Sequence, residues 1–232
     1  MARFWTVVNE VLRKSDIILL VLDARNIDET INEEIVNKVK QPLIYVLNKC
    51  DLVHKSVLEL AKRRFKRAVF VSSKEYHGIR KLKEMIIIEG KRLKVEKPLV
   101  GVLGYPNVGK SSVINALNGR GSAKTSSSSG FTKGKQNISA KQFMLVDTPG
   151  VIPYREDESI MKGSVDFSKV KDPEDAFYDL LEKFPRLLHH YGVKDLEELA
   201  IKRQFLLKKG LPDTRSAARL VLKDWQGGKI KC

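Results

Sequence analysis

The sequence of 232 residues has only two cysteines, Cys50 and Cys232, and no metal-ligand spacing around either. A disulfide scaffold and a structural zinc site are therefore both excluded. The four histidines, His189-His190 among them, also stand in no ligand spacing and read as surface or local polar residues. Long apolar runs are missing too. The longest is Ile17 to Leu22, far short of the roughly 20 residues a membrane helix needs. The opening Met1-Ala-Arg-Phe-Trp5 has no apolar core segment or cleavage site of a secretory leader, so the expected address is the cytoplasm, with no membrane partner. No internal repeat is visible.

What is present is a composition able to bury a core, 42% hydrophobic and 31% charged, with a formal net charge of +15. That balance argues against wholesale disorder. Basic excess raises the local concentration of polyanions but says nothing about fold. Its placement is uneven. Residues 1–150 hold 27 Lys/Arg and 14 Asp/Glu, 151–199 hold 7 and 12, and 200–232 hold 9 and 2. Two basic regions flank an acidic stretch, which reads as a positioned surface.

Apolar, β-branched runs alternate with helical stretches through the first 150 residues. Strands are expected over 16–25, 42–49, 68–72, 98–104, 134–140 and 142–147, and helices over 29–40, 56–67, 78–93 and 111–117. The first run is apolar at consecutive positions, the mark of a strand buried on both faces. Strands separated by helices give an α/β fold with a doubly wound, mostly parallel sheet. Residues 119–130 (GRGSAKTSSSSG) read as a mobile loop. Beyond Gly150 no convincing strand remains. Helices are expected from Asp172 to about Phe184, from Lys194 to about Lys209 and from Asp213 to Trp225, the last ended by Gly227-Gly228. The expected organisation is a nucleotide-binding domain over 1–160 and a small all-α domain over 161–232.

Gly104-Tyr-Pro-Asn-Val-Gly109-Lys110-Ser111 fits G-x-x-x-x-G-K-[ST] and falls between an expected strand and an expected helix. Its glycines let backbone N–H groups wrap the α- and β-phosphates, and the helix N-terminus adds to that anion site. Lys110 would reach the β- and γ-phosphates, and Ser111 would ligate Mg²⁺. Asp147-Thr-Pro-Gly150 follows the last strand. An acid there is placed to hold Mg²⁺ through water, and Gly150 would offer its N–H to the γ-phosphate; a plain Pro-Gly turn is the competing reading. Asn48-Lys49-Cys50-Asp51 ends the second strand. The Asp51 carboxylate can accept both N1–H and the exocyclic amine of guanine, the Lys49 stem can cover the base, and Asn48 can tie this loop to the phosphate loop. A short charged loop is the alternative. Ser72-Ser73-Lys74 would complete the base pocket with a backbone N–H aimed at the guanine O6.

Together these motifs resemble the GTPase signature set, but in permuted order: NKCD and SSK first, then GYPNVGKS, a switch I candidate at Gly130-Phe-Thr132-Lys-Gly134, and DTPG last. That order is similar to the YlqF/YawG family of circularly permuted GTPases, associated with assembly of the large ribosomal subunit. The resemblance extends to Gly210-Leu-Pro-Asp-Thr-Arg-Ser-Ala-Ala218 and Asp224-Trp-Gln-Gly-Gly-Lys-Ile230. It implies a P-loop GTPase in which Asn48, Lys49 and Asp51 read guanine, with Ser72, Ser73 and Lys74 beside them. Asn107, Val108, Gly109, Lys110, Ser111 and Ser112 would hold phosphates, and Ser111, Thr132 and Asp147 would hold Mg²⁺. Lys110, Thr132 and Gly150 would serve GTP hydrolysis.

Val151 stands where many GTPases place a water-orienting Gln, so intrinsic turnover is expected to be slow. Asn107 resembles the K⁺ ligand of potassium-activated GTPases, with stabilisation of a tight loop as the equal alternative. The expected protein is a monomeric GTP/GDP-binding factor acting on the large ribosomal subunit or its precursor through rRNA. Basic stretches at Lys62–Arg67 and Arg80–Lys97, for which a solvated basic helix face is the alternative, and a helical stripe of Arg215, Arg219 and Lys223, would supply phosphate contacts. Trp225 reads first as a packing residue and second as a base-stacking one. The alternative is a GTP-dependent switch for another RNA or a protein complex, with hydrolysis incidental.

Overall fold

Continuous apolar runs in a chain of alternating elements must be covered on both faces, and the observed sheet shows how. The structure, a computed structural model, describes residues 2–119, 136–139, 142–147 and 170–231. By contact the chain divides into two units, Met1–Arg155 and Glu156–Cys232.

In the first unit, strands β1 (Ile17–Asp23), β2 (Leu43–Asn48), β3 (Ala68–Val71), β4 (Leu99–Leu103), β5 (Gln136–Ser139) and β6 (Met144–Asp147) form one sheet in the order β3-β2-β1-β4-β6-β5. All neighbours are parallel except β5, which runs antiparallel to β6 at the edge. Every residue of β1 is buried. Ile17, Leu19 and Val21 pack with Leu82 and Ile86 of α5 (Ile79–Arg92) and with Val113 and Ile114 of α6 (Lys110–Asn118). Ile18, Leu20 and Leu22 face the other way, onto a layer that includes α1 (Ala2–Lys14), α3 (Glu33–Lys38) and α4 (Lys55–Arg64). Each such buried aliphatic side chain contributes about 1.5–3 kcal/mol, so the sheet's centre is its most strongly held part.

Two expectations for this unit need correction. The stretch before Asp16, which carried no expected element, forms α1, with Val8, Val11 and Leu12 buried at helical spacing. The helix expected over 29–40 is two short ones, α2 (Ile27–Thr30) and α3. Ile31 and Asn32 between them are extended, and the Asn32 side chain accepts a hydrogen bond from the Ile35 N–H, so it caps α3 and breaks the run. From residue 120 on, the loop expected over 119–130 lies outside the described residues, as does the switch I candidate at 130–134.

The second unit contains α7 (Pro173–Lys183), α8 (Leu196–Lys202) and α9 (Thr214–Gln226) around Phe177, Leu180, Leu199, Val221 and Leu222. Asp172, Asp195 and Asp213 cap the three N-termini, each accepting N–H groups of the first turn. Hydrogen bonds from Ser216 hold the Asp213 carboxyl below its ordinary value. The helix expected over 194–209 stops at Lys202. The Phe205 N–H turns back to the Ala200 carbonyl, Gln204 is left-handed, and the chain reverses so that Leu206 pairs with Pro212. Trp225 is buried, 5.7 Å from Phe184 between ring centres, so it packs the core and offers no stacking face.

Candidate functional site

The phosphate loop leaves β4 at Gly104 and enters α6 at Lys110, so the strand and helix fix its two ends. Asn107 sits at φ 61° and Gly109 at φ 96°, both left-handed. Asparagine tolerates that conformation better than most side chains, which accounts for it in the loop without any ligand. A Cβ on Gly109 would lie 2.3 Å from the Asn48 Nδ2, so only glycine fits between the two loops. The Lys110 side chain is buried under the loop, its Nζ donating to the carbonyls of Gly104 (2.9 Å) and Tyr105 (2.7 Å). Val108 is buried, while Ser111 and Ser112 are partly exposed in the first turn of α6. First-turn N–H groups have no acceptor within their own helix. Together with the ammonium they are an arrangement that can hold an anion.

The second loop follows β2. Asn48 is buried; its Nδ2 donates to the Val108 carbonyl at 2.8 Å and its Oδ1 accepts from the Ser73 N–H at 3.2 Å. One amide thus joins three segments: the NKCD loop, the phosphate loop and the loop after β3. The Glu75 N–H donates to Ser72 Oγ, so Ser73 and Glu75 are both engaged. The Lys74 N–H between them is the donor this loop can offer a base carbonyl. Asp51 is exposed in a single 3-10 turn, Cys50–Leu52. Cys50 is buried, and burial with the neighbouring Asp51 carboxylate pushes its thiol up to about 11, so it serves packing and not reactivity.

Lys49 lies at φ 62°, and its Nζ is 2.8 Å from Asp23 Oδ2. Asp23 ends β1 directly opposite Asn48 in the sheet register. Burial alone would raise its carboxyl, but the Lys49 and Arg25 charges hold it far below the usual carboxylate range. Burial pulls the Lys49 ammonium below its ordinary value, which the Asp23 charge opposes. Asp23, Arg25 and Thr30 were not singled out from the sequence, although an acid closing a buried parallel strand was the signal read at Asp147. Nor was the contact from Asn32 Nδ2 to the Tyr105 hydroxyl (3.3 Å). Asp147 ends β6, beside β4; its side chain lies outside the described set, as do Thr132, Gly150 and Val151.

A glycine-bearing loop opening a helix and the NKCD loop, tied by one asparagine on a sheet whose strands follow a permuted chain order, give the arrangement of a P-loop GTPase fold. A family model described as "50S ribosome-binding GTPase" matches residues 99–208. An uncharacterized GTP-binding protein of Methanocaldococcus jannaschii is 39% identical, over 97% of this chain and 65% of its own length. Nucleolar GTP-binding protein 2 of Saccharomyces cerevisiae is 32% identical, over 98% of this chain and 52% of its own. The chain therefore spans between about half and two thirds of these relatives. The crystal structure of GNP-bound YlqF from T. maritima superposes with a TM-score of 0.67 at 24% identity, covering 98% of this chain and 94% of that one. The chain shares the fold of YlqF and is similar in sequence to these GTP-binding proteins.

Proposed function

We propose that this protein hydrolyses the β–γ bond of GTP and acts as a nucleotide-dependent factor on the large ribosomal subunit or its precursor, touching rRNA through its basic faces. The observation that carries the guanine part is Asn48, whose amide holds the NKCD loop against the phosphate loop. Asp51 then reads the N1–H and exocyclic amine of guanine, and Lys110 with the α6 N-terminus takes the phosphates. Supporting the ribosomal part are the description of the matched family model and the charge: Arg215, Arg219 and Lys223 are exposed along one face of α9, and Lys62, Arg63 and Lys66 are exposed at and just beyond the end of α4. Arg64 and Arg67 nearby are instead paired with Asp28 and Glu89.

Ser111, Thr132 and Asp147 are the residues for Mg²⁺. An alcohol in the first turn of α6 and a carboxylate residue ending the neighbouring β6 are the hard oxygen donors this ion takes. When bound, the ion neutralises charge on the β- and γ-phosphates. Gly150 and Lys110 serve the γ-phosphate from the protein side. With Val151 in the usual Gln position, turnover alone is slow and the partner supplies what is missing. Asn107 as a K⁺ ligand, a cytoplasmic address and a monomeric state complete the reading.

The test is GTP turnover in K⁺ buffer, alone and with purified large subunits, small subunits or naked rRNA, repeated in Na⁺. Selective stimulation by large-subunit particles is expected, with a lower rate in Na⁺. RNA binding should weaken steeply with salt, since each phosphate contact releases counterions. Equal rates with every addition and no co-sedimentation would move the partner to another RNA or to a protein complex. An Na⁺ rate equal to the K⁺ rate leaves Asn107 with its loop role only.

A further inference from the structure

We propose that Asp23, with Arg25 behind it, is a positioning residue for base recognition: it anchors the Lys49 ammonium and so holds the Lys49 stem as a wall of the nucleobase pocket. This rests on the reading of residues 48–51 as the guanine loop and adds a residue outside every motif that defined it.

The carboxylate of Asp23 is fully used. Its Oδ1 accepts from Arg25 Nε (3.0 Å) and from the Arg25 backbone N–H (3.1 Å). Its Oδ2 accepts from Arg25 Nη2 (2.7 Å) and from Lys49 Nζ (2.8 Å). Two oxygens with four donors have no capacity left for a metal ion or for acid–base work. The Arg25 side chain is wholly buried, so the fork is rigid and the carboxylate cannot swing.

The backbone of Asp23 is held as well. Its N–H donates to Thr30 Oγ1 at 3.1 Å, and that hydroxyl donates to the Asn26 carbonyl at 2.8 Å. The next residue, Ala24, donates its N–H to the Asn48 carbonyl. The anchor and the base-reading loop are therefore built on adjacent strands in fixed register.

A reason for this construction lies in the lysine. Its four-carbon stem carries roughly 2 kcal/mol of rotamer entropy, and a free stem would have to be ordered at each binding event. Tying the ammonium beforehand removes that cost from the binding step. Buried charge clusters stabilise a fold poorly compared with apolar packing, so a plain structural role accounts less well for three charged groups at this point of the sheet.

The experiment is a titration of GDP and IDP into wild type, Asp23→Asn, Lys49→Met and the double variant, with circular dichroism to show that each is folded. Asp23→Asn and Lys49→Met should each weaken GDP by about tenfold, the size of one charged hydrogen bond. The double variant should be no weaker than the worse single one, because Asp23 acts through Lys49. The GDP-to-IDP ratio should stay at its wild-type value, since the exocyclic amine is read by Asp51 and not by the lysine wall. Additive losses, an unchanged GDP affinity in folded Asp23→Asn, or a collapsed ratio would each overturn the inference.

Should Asp23→Asn not fold, Thr30→Val keeps every charge and removes the acceptor for the Asp23 N–H together with the donor to the Asn26 carbonyl. It should cost GDP affinity about threefold in wild type and nothing in the Lys49→Met background, the range of a neutral hydrogen bond; no loss in wild type would again overturn it. A wild-type protein that binds ADP as tightly as GDP overturns the reading of residues 48–51 itself, a failure that shows before any variant is made.

Discussion

Asn48 is the residue on which the site geometry converges, and its chemistry is specific to an amide. It donates to one loop from Nδ2 and accepts from another at Oδ1, which an ionised carboxylate, having no donor, cannot reproduce, and which a hydroxyl would have to do from a single atom. Asn48→Ala strands the buried Val108 carbonyl, at about 1–3 kcal/mol, and leaves the part-buried Ser73 N–H to water. Urea unfolding should show a loss of that order, and amide exchange at Ser73 should speed up. Asn48→Asp keeps the acceptor for Ser73 but sets an anion against the Val108 carbonyl, so it should be no more stable than the alanine variant.

Asp23 leads to a pH prediction. Its folded carboxyl sits below the unfolded value of about 4, so the stability it contributes is fully present above that value and is lost as pH falls toward the folded one. Stability from this group should be flat from pH 7 to about 5 and decline below about 4. Asp23→Asn, where it folds, should flatten the acid limb measured by urea unfolding at stepped pH.

At the scale of elements, the strands were legible and some of the helices were not, for different physical reasons. A strand buried on both faces prints as an unbroken apolar run, as β1 does. The phosphate loop prints as glycines at fixed spacing between a strand and a helix. By contrast the buried set among the described side chains of α1 is Val8, Val11 and Leu12, interspersed with Glu10, Arg13 and Lys14. What holds it is tertiary: a Cβ on Gly101 of β4 would lie 2.6 Å from Val11 Cγ1 and 2.5 Å from Ser15 Oγ. The helix lies close on the sheet because that residue is glycine, and no local pattern announces this. Gly101→Ala should therefore push α1 off β4 and cost about 1–3 kcal/mol, the range for overpacking. Denaturant unfolding checks it, and wild-type stability would refute the close-packing argument.

The second unit gives the complementary lesson. Apolar residues at Phe205, Leu206 and Leu207 continue past the real end of α8, so the pattern overran the helix. The start of α9 was plain from Asp213, and Asp213→Ala should cost about 1 kcal/mol through loss of its cap. The Lys49–Asp23 contact was beyond reach of spacing altogether. The two residues are far apart in sequence and meet only through the β1–β2 register.

For the whole molecule, the permuted motif order was the most legible feature, because each motif is local and only their sequence along the chain had to be read. Less visible was how completely the burial separates. The first unit's core lies in two layers astride the sheet, drawn from residues between Val8 and Leu145, and the second unit's cluster from residues between Val170 and Ile230. Every described residue given a role toward the base or the phosphates falls within the first set of elements. A ligand that binds only the folded form stabilises it by about 2.7 kcal/mol at a hundred times its dissociation constant. Scanning calorimetry should accordingly resolve two transitions, and GDP with Mg²⁺ should raise only the one reporting the sheet. The sheet transition is identifiable because Gly101→Ala lowers it, whereas Asp213→Ala lowers the other. A single transition that GDP moves as a whole would mean that the two cores melt as one cooperative body, and nucleotide energy would then reach the basic face of α9 directly.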